Sequence, residues 1–230
     1  MTLTVCGLIG SPFYRKILTQ LNEKNVAFST ENLNPFKAGD DFTVVNPVRR
    51  IPLLKDSDNG GDWVLPDSSA IFQYIERKIP EPSLLPANTA DYGRALWLEE
   101  YADTVLASTF GLGVFRRIVF PQMQGEKPDT DGALEVVRNK LPEINDYVEA
   151  AIGDKDWLAG PDFSVADISV AVQYANLSFA GYVPSAKRWP KLLAFMRRVG
   201  SRGSFAGPHM QAATAFAEMQ KLTVDLEENL

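Results

Sequence analysis

Ser11 stands immediately before Pro12, where a short apolar run gives way to apolar residues spaced by four. Proline is tolerated best in the first turn of a helix, so Ser11 falls at a helix mouth. There the unpaired backbone N–H groups and the positive end of the dipole favour an anion. Taken alone, Ser11 is a helix cap; with an anion beside it, the hydroxyl becomes a donor. Asp67 and Ser68 repeat this arrangement ahead of a stretch with Ile71, Ile75 and Ile79 on one face. Simple N-capping and anion binding are again the two alternatives. Pro52 follows Ile51 before an apolar segment, and by itself reads as an ordinary trans proline opening a strand. Arg49 and Arg50 precede it as paired cations, suited either to solvent or to an anion.

Other chemistries are excluded by composition. The chain has a single Cys, Cys6, and a single His, His209. That leaves no intramolecular disulfide, fits a reducing compartment, and provides too few soft ligands for a structural zinc site, so no metal is expected. Cys6 lies inside an apolar strand pattern, where a thiol is an inert small side chain. A net charge of −6 argues against a broad phosphate-binding surface, hence no nucleic-acid partner. No apolar run approaches the roughly 20 residues that span a bilayer, so no membrane partner is expected. The first residues lack the basic and apolar regions of a signal peptide, which makes the cytoplasm the expected address.

The elements that must position these residues follow from periodicity. The 230 residues are 45% hydrophobic, enough to bury a full core. Residues 2–8 form a buried-strand run. From Pro12 a helix is expected, with Phe13, Ile17 and Leu21 spaced by four and Tyr14 and Leu18 beside them. A strand over 26–33, a short helix over 40–45 ending where Asn46 precedes Pro47, and a hairpin of 51–55 with 63–65 come next. The helix of Ile71, Ile75 and Ile79 closes a compact α/β layer. Residues 79–88 hold three prolines and mark a boundary. Beyond them strand patterns vanish, and helices are expected near 89–120, 131–152, 164–181, 189–201 and 208–226. The expected organisation is a domain at 1–79, a linker at 80–88 and an all-helical domain at 89–230. Within the latter, Ser164 and Asp167 make a capping pattern, with Phe163 and Ile168 at the staple positions. This signal is fold-forming rather than catalytic. Asp is shorter than the usual Glu of such a box.

Three stretches of the first domain then line up together. Gly10-Ser11-Pro12-Phe13-Tyr14-Arg15, Asn46-Pro47-Val48-Arg49-Arg50-Ile51-Pro52 and Pro66-Asp67-Ser68-Ser69-Ala70-Ile71 resemble the three glutathione-contacting motifs of glutathione S-transferases. The resemblance spans nearly the whole chain, because the capping segment and the helix-rich second half are also similar to that family. It implies a thioredoxin-like N-terminal domain and an all-α helical-bundle C-terminal domain. It implies glutathione as co-substrate, a small apolar electrophile as second substrate, a homodimer and a role in detoxification. The Ser-x-x-x-Arg spacing is similar to the serine classes (theta and delta). Ser-Pro-Phe is similar to the Cys-Pro-Phe of the omega class with oxygen in place of sulfur.

Residue by residue, the resemblance makes Ser11 the catalytic hydroxyl that stabilises the glutathione thiolate. It implies a cis Ile51–Pro52 bond, with the Ile51 backbone pairing the cysteinyl part of glutathione. Ser68 and the helix N–H groups would take the γ-glutamyl carboxylate, and Asp67 its ammonium. Arg49 would reach the glycyl carboxylate, with Arg50 the neighbouring candidate. Phe13, Tyr14, Phe110, Phe115 and Phe120 are candidates for an apolar second site, although aromatic residues at helical spacing equally form core. Two other functions stay open: a glutathione-dependent peroxidase or thiol transferase, and a non-catalytic binding protein of the same fold.

Overall fold

The computed structural model describes residues 2–223, and their contacts divide into two units. The first comprises residues 2–84 and 203–211; the second comprises 85–202 and 212–223. Residues 203–211, which the helical pattern assigns to the second half, group with the first unit.

In the first unit, strands β1 (Leu3–Gly7), β2 (Phe28–Asn32), β3 (Leu53–Asp56) and β4 (Val64–Pro66) form one sheet in the order β2-β1-β3-β4. β1 and β2 are parallel and joined through helix α1 (Pro12–Glu23), the crossover that a parallel pair requires. β3 runs antiparallel to both β1 and β4. Helices α2 (Asp41–Val45) and α3 (Ser68–Lys78) complete the expected order of strand, helix, strand, helix, strand, strand, helix. β3 opens at Leu53, past Pro52, which has no N–H to give a ladder.

The core of this unit follows the alternation of β1. Leu3, Val5, Ile17, Leu21, Ile71, Phe72 and Ile75 have no exposed surface. Cys6 forms a smaller cluster with Phe42 and Leu53. Periodicity did not reveal the polar packing of α1, where Lys16, Gln20 and Lys24 are buried beside its apolar residues. Gln20 Nε2 donates to the Phe72 carbonyl and to Glu76 Oε1, each at 2.9 Å. Lys24 Nζ donates to the carbonyls of Ile79 (2.8 Å) and Pro82 (2.7 Å), and lies 3.1 Å from Glu76. Glu76 Oε2 accepts the Leu84 N–H at 3.1 Å. Gln20 Nε2, Lys24 Nζ and both Glu76 carboxylate oxygens are paired, as burial of such groups requires, while the buried Gln20 Oε1 has no partner among the described residues. The effect of this network is to tie the proline-rich segment to α1 and α3.

The second unit is helical, and among the described residues no strand follows β4. Its helices are α4 (Thr89–Tyr101), a π-helical stretch (Ala102–Phe115), α5 (Arg116–Met123), α6 (Thr130–Asn139), α7 (Leu141–Ile152), α8 (Val165–Phe179) and α9 (Pro190–Gly200). The pattern over 131–152 is split at Lys140, because Pro142 cannot continue the ladder of α6. α8 is the centre, with fourteen of its fifteen residues buried, the polar Asp167, Ser169, Gln173 and Asn176 among them. Its start carries the capping arrangement: the Ser164 N–H and hydroxyl donate to Asp167 Oδ2 at 2.8 and 3.0 Å. The shorter Asp side chain therefore does reach back.

The last helix, α10 (Gly203–Ala215), begins and ends earlier than the expected 208–226, and residues 224–226 lie outside the described residues. The Gly203-Ser204 start carries no apolar periodicity to announce it. Ser204 is instead held by α1, through Asn22 Nδ2 on its carbonyl at 3.1 Å and the Glu23 carboxylate on its hydroxyl.

Candidate functional site

Sheet register brings the three sequence motifs together. Cys6 pairs with Leu53, and Leu53 pairs with Pro66, so these residues form one row across β1, β3 and β4. Neighbouring strands lie about 4.8 Å apart, so the row is about 10 Å wide. Just beyond it, β1 leads to Ser11, Ile51 and Pro52 lead into β3, and β4 leads to Asp67 and Ser68. Two helix N-termini, of α1 and α3, thus open at the same edge as the Ile51 backbone.

Ser11 is the N-cap of α1, with φ −77° and ψ 124°, and its Oγ accepts the Tyr14 N–H at 3.3 Å. A hydroxyl used as an acceptor keeps its own proton to donate. The loop before it is closed by Ser11 N–H on the Leu8 carbonyl at 2.9 Å and by the buried Arg15, whose Nη1 donates to the Ile9 carbonyl at 2.8 Å. Complete burial lowers the Arg15 pKa to about 9.

The Ile51–Pro52 bond is cis. The turn ahead of it is organised by Asn46, a residue whose role the sequence pattern did not single out beyond its place before Pro47. Asn46 is buried, its carbonyl accepts the Arg49 N–H at 2.9 Å, and its Nδ2 donates to the Arg50 carbonyl at 2.7 Å. An Asn-Pro pair is a recognised turn opener, and that signal was available.

Asp67 caps α3 from a left-handed backbone, φ 76°, with Oδ1 accepting the N–H groups of Ser69 and Ala70 at 3.0 Å each. Ser68 is the first residue of the helix and is buried. Lys16 Nζ donates to Ser69 Oγ at 3.3 Å, linking α1 to the start of α3.

Arg49 behaves differently from a cation awaiting a carboxylate. It has φ 49°, and its guanidinium is engaged by the preceding loop. Nη1 donates to Thr43 Oγ1 (2.7 Å) and the Gly39 carbonyl (3.4 Å), and Nη2 to the carbonyls of Ala38 (2.6 Å) and Pro35 (3.1 Å). Arg50 is exposed.

The aromatic candidates separate. Phe13 is half-buried on the first turn of α1, two residues past Ser11. Tyr14 is core: its ring packs against Gly7 and its phenol is hydrogen-bonded to Thr30. Burial raises its pKa, which makes it a poorer donor toward an anion. Tyr14 also lines a cleft of about 230 Å³ that Leu18 and Asn32 share. Phe110 has no exposed surface and meets Tyr174 edge-on at 4.9 Å. Phe115 is packed among Phe120 and Phe216. Phe110 and Phe115 are therefore buried within the second unit. Cys6 is buried, and its thiol pKa is pushed up to about 11 by burial and by Glu31.

Residues 5–83 match the glutathione S-transferase N-terminal domain, and residues 131–198 match the glutathione S-transferase C-terminal domain. Glutathione S-transferase 3 of Zea mays is 31% identical over 210 residues, covering 88% of this chain and 91% of the maize protein. The chain belongs to the glutathione S-transferase family. FtsZ-localized protein A of Caulobacter vibrioides is also similar, 28% identical over 187 residues, with 77% of this chain and 80% of that protein covered. Among solved structures, a glutathione S-transferase from Rhodospirillum rubrum F11 superposes with a TM-score of 0.80 at 25% identity, covering 90% of this chain and 91% of that one. The family's thioredoxin-like first domain and helical second region are the architecture described above. Membership supports glutathione binding and transferase chemistry. Among the described residues, no helix is long and apolar enough to cross a membrane.

Proposed function

We propose that this protein is a serine-type glutathione S-transferase that joins reduced glutathione to small apolar electrophiles. The observation that carries the proposal is the row Cys6–Leu53–Pro66, which delivers Ser11, the Ile51 backbone and the Asp67–Ser68 cap to one sheet edge. In this reading the Ser11 hydroxyl donates its hydrogen to the thiolate sulfur, and the α1 N-terminus adds positive potential. Ser11 does not act as a base, because a serine hydroxyl is far too weak an acid. The Ile51 backbone aligns the cysteinyl segment. The α3 N-terminus with Ser68 takes the γ-glutamyl carboxylate. Asp67 commits Oδ1 to its cap and offers Oδ2 to the ammonium. Arg50, exposed beside Ile51, is the cation for the glycyl carboxylate. The thiol proton passes to solvent. Sulfur then bonds the electrophilic carbon as that carbon's leaving group departs with the bonding electron pair, or, at an activated double bond, as the π pair moves to the neighbouring atom and takes a proton from water.

A thiol-transferase reaction through a protein cysteine is disfavoured, since the only thiol is buried and its pKa is high. The second reading is a binding protein that transfers nothing, favoured by the likeness to FtsZ-localized protein A. A homodimer in the cytoplasm completes the proposal. Calorimetric titration with glutathione, followed by rates against a panel of apolar electrophiles, tests it. Binding with turnover is the expected result; absence of turnover, with or without glutathione binding, removes the transferase reading and leaves the second.

A further inference from the structure

Arg49 sits where its backbone and its side chain serve the same purpose. Its N–H closes a turn on the Asn46 carbonyl, and the Arg50 carbonyl is held by Asn46 Nδ2. The left-handed φ of 49° is a conformation usually left to Gly, Asn or Asp. From there the planar guanidinium reaches back six to fourteen residues and satisfies three backbone carbonyls and one hydroxyl, while lying 5.5 Å over the Phe42 ring. Phe42 in turn packs with Cys6 and Leu53, the residues of the row that gathers the site.

We infer that Arg49 is a positioning residue, a clasp that fastens the 35–43 loop to the 46–52 turn and so presets the Ile51 backbone and Arg50 for glutathione. This rests on the glutathione-binding reading above. A planar fork with several donors can serve four acceptors at once, whereas an ammonium on a flexible stem cannot reproduce that geometry. Without the clasp, the loop and turn must be ordered when the ligand binds, and the affinity falls by that ordering cost. The loss then falls on the whole ligand rather than on its glycyl end.

The test titrates the full-length protein and its Arg49→Met, Arg49→Lys and Arg50→Gln variants with glutathione and with γ-glutamylcysteine, which lacks the glycyl carboxylate. Amide hydrogen exchange over residues 35–43 is followed without ligand, and circular dichroism checks the fold. Arg49→Met is expected to weaken both ligands by the same factor, roughly fivefold or more given the number of charge-assisted bonds lost. Arg49→Lys should fail to restore either affinity, and both variants should speed exchange in the loop. Arg50→Gln should weaken glutathione alone. A loss confined to glutathione, or full rescue by Arg49→Lys, would make Arg49 a carboxylate ligand and overturn the clasp. Unchanged affinities with a loosened loop would overturn the positioning role too. Failure of the wild type to bind glutathione removes the functional reading itself, and is read separately from the variants.

Discussion

The hydroxyl oxygen of Ser11 accepts the backbone N–H of Tyr14 at 3.3 Å, across the first turn of α1. The same group that caps the helix therefore keeps one hydrogen for a thiolate. Capping and catalysis make separable demands on it. Ser11→Ala should cost about 0.5–2 kcal/mol of stability through the lost cap. If the hydroxyl also holds sulfur, the bound thiol loses a hydrogen bond to an anion, which with the helix terminus supplies about 2–3 kcal/mol, or roughly two pKa units. The pH profile of conjugation at saturating glutathione should then move to higher pH in Ser11→Ala. Superimposable profiles would reduce Ser11 to a cap.

Asp67 gives a second separation of roles. Its carboxylate caps α3 while its backbone stays at φ 76°. Asp67→Ala should destabilise by about 1–3 kcal/mol, combining the lost cap with a left-handed alanine. Asp67→Asn keeps an acceptor and tolerates that backbone, so its urea midpoint should stay near wild type. It should still bind glutathione more weakly, because the negative charge opposite the ammonium is gone. Equal affinity in Asp67→Asn would confine Asp67 to capping.

Gly7 ends β1 against the ring of Tyr14. A Cβ added there would stand 2.4 Å from Tyr14 Cδ2, inside any tolerable contact. Gly7→Ala is expected to destabilise by about 1–3 kcal/mol through overpacking. In a Tyr14→Ala background the same substitution should cost almost nothing, because the two residues are coupled. Additive losses in denaturant unfolding would place the strain elsewhere.

Asp167 predicts a pH dependence of stability. Burial raises its pKa from 3.8 to about 6, outweighing the hydrogen bonds from the Leu158 and Ser164 N–H groups and the Ser164 hydroxyl that favour the charged form. The folded state thus binds a proton that the unfolded state releases between these values. Its stabilising contribution is full below about pH 3.8 and is lost as pH rises through about 6, with an upper limit of about 3 kcal/mol. Relative to Asp167→Asn, the wild type should gain stability as pH falls from 7 to 4. Parallel curves for the two proteins in denaturant titrations would mean that the carboxyl titrates alike in both states.

The sequence by itself determined the local signals. Pro12 and Pro52 act through a missing N–H, Ser11, Asp67 and Ser164 act as caps within a turn of themselves, and the apolar spacing of α3 needs only its own helix. These forces run over three or four residues, so they are written in adjacent letters. Tertiary structure alone decided the long-range partners. Arg49 and Arg50 are alike in sequence, yet one is engaged by carbonyls of a loop that exists only once α2 packs on Cys6 and Leu53. Phe13 and Phe110 are both aromatic residues on helices, and only packing left one half-exposed and sealed the other in the interior. Lys24 reads as a surface charge until the carbonyls of Ile79 and Pro82 converge on it, some 55 residues away. A backbone carbonyl is the same acceptor at every position, so which one a side chain will meet is set by chain geometry rather than by residue type.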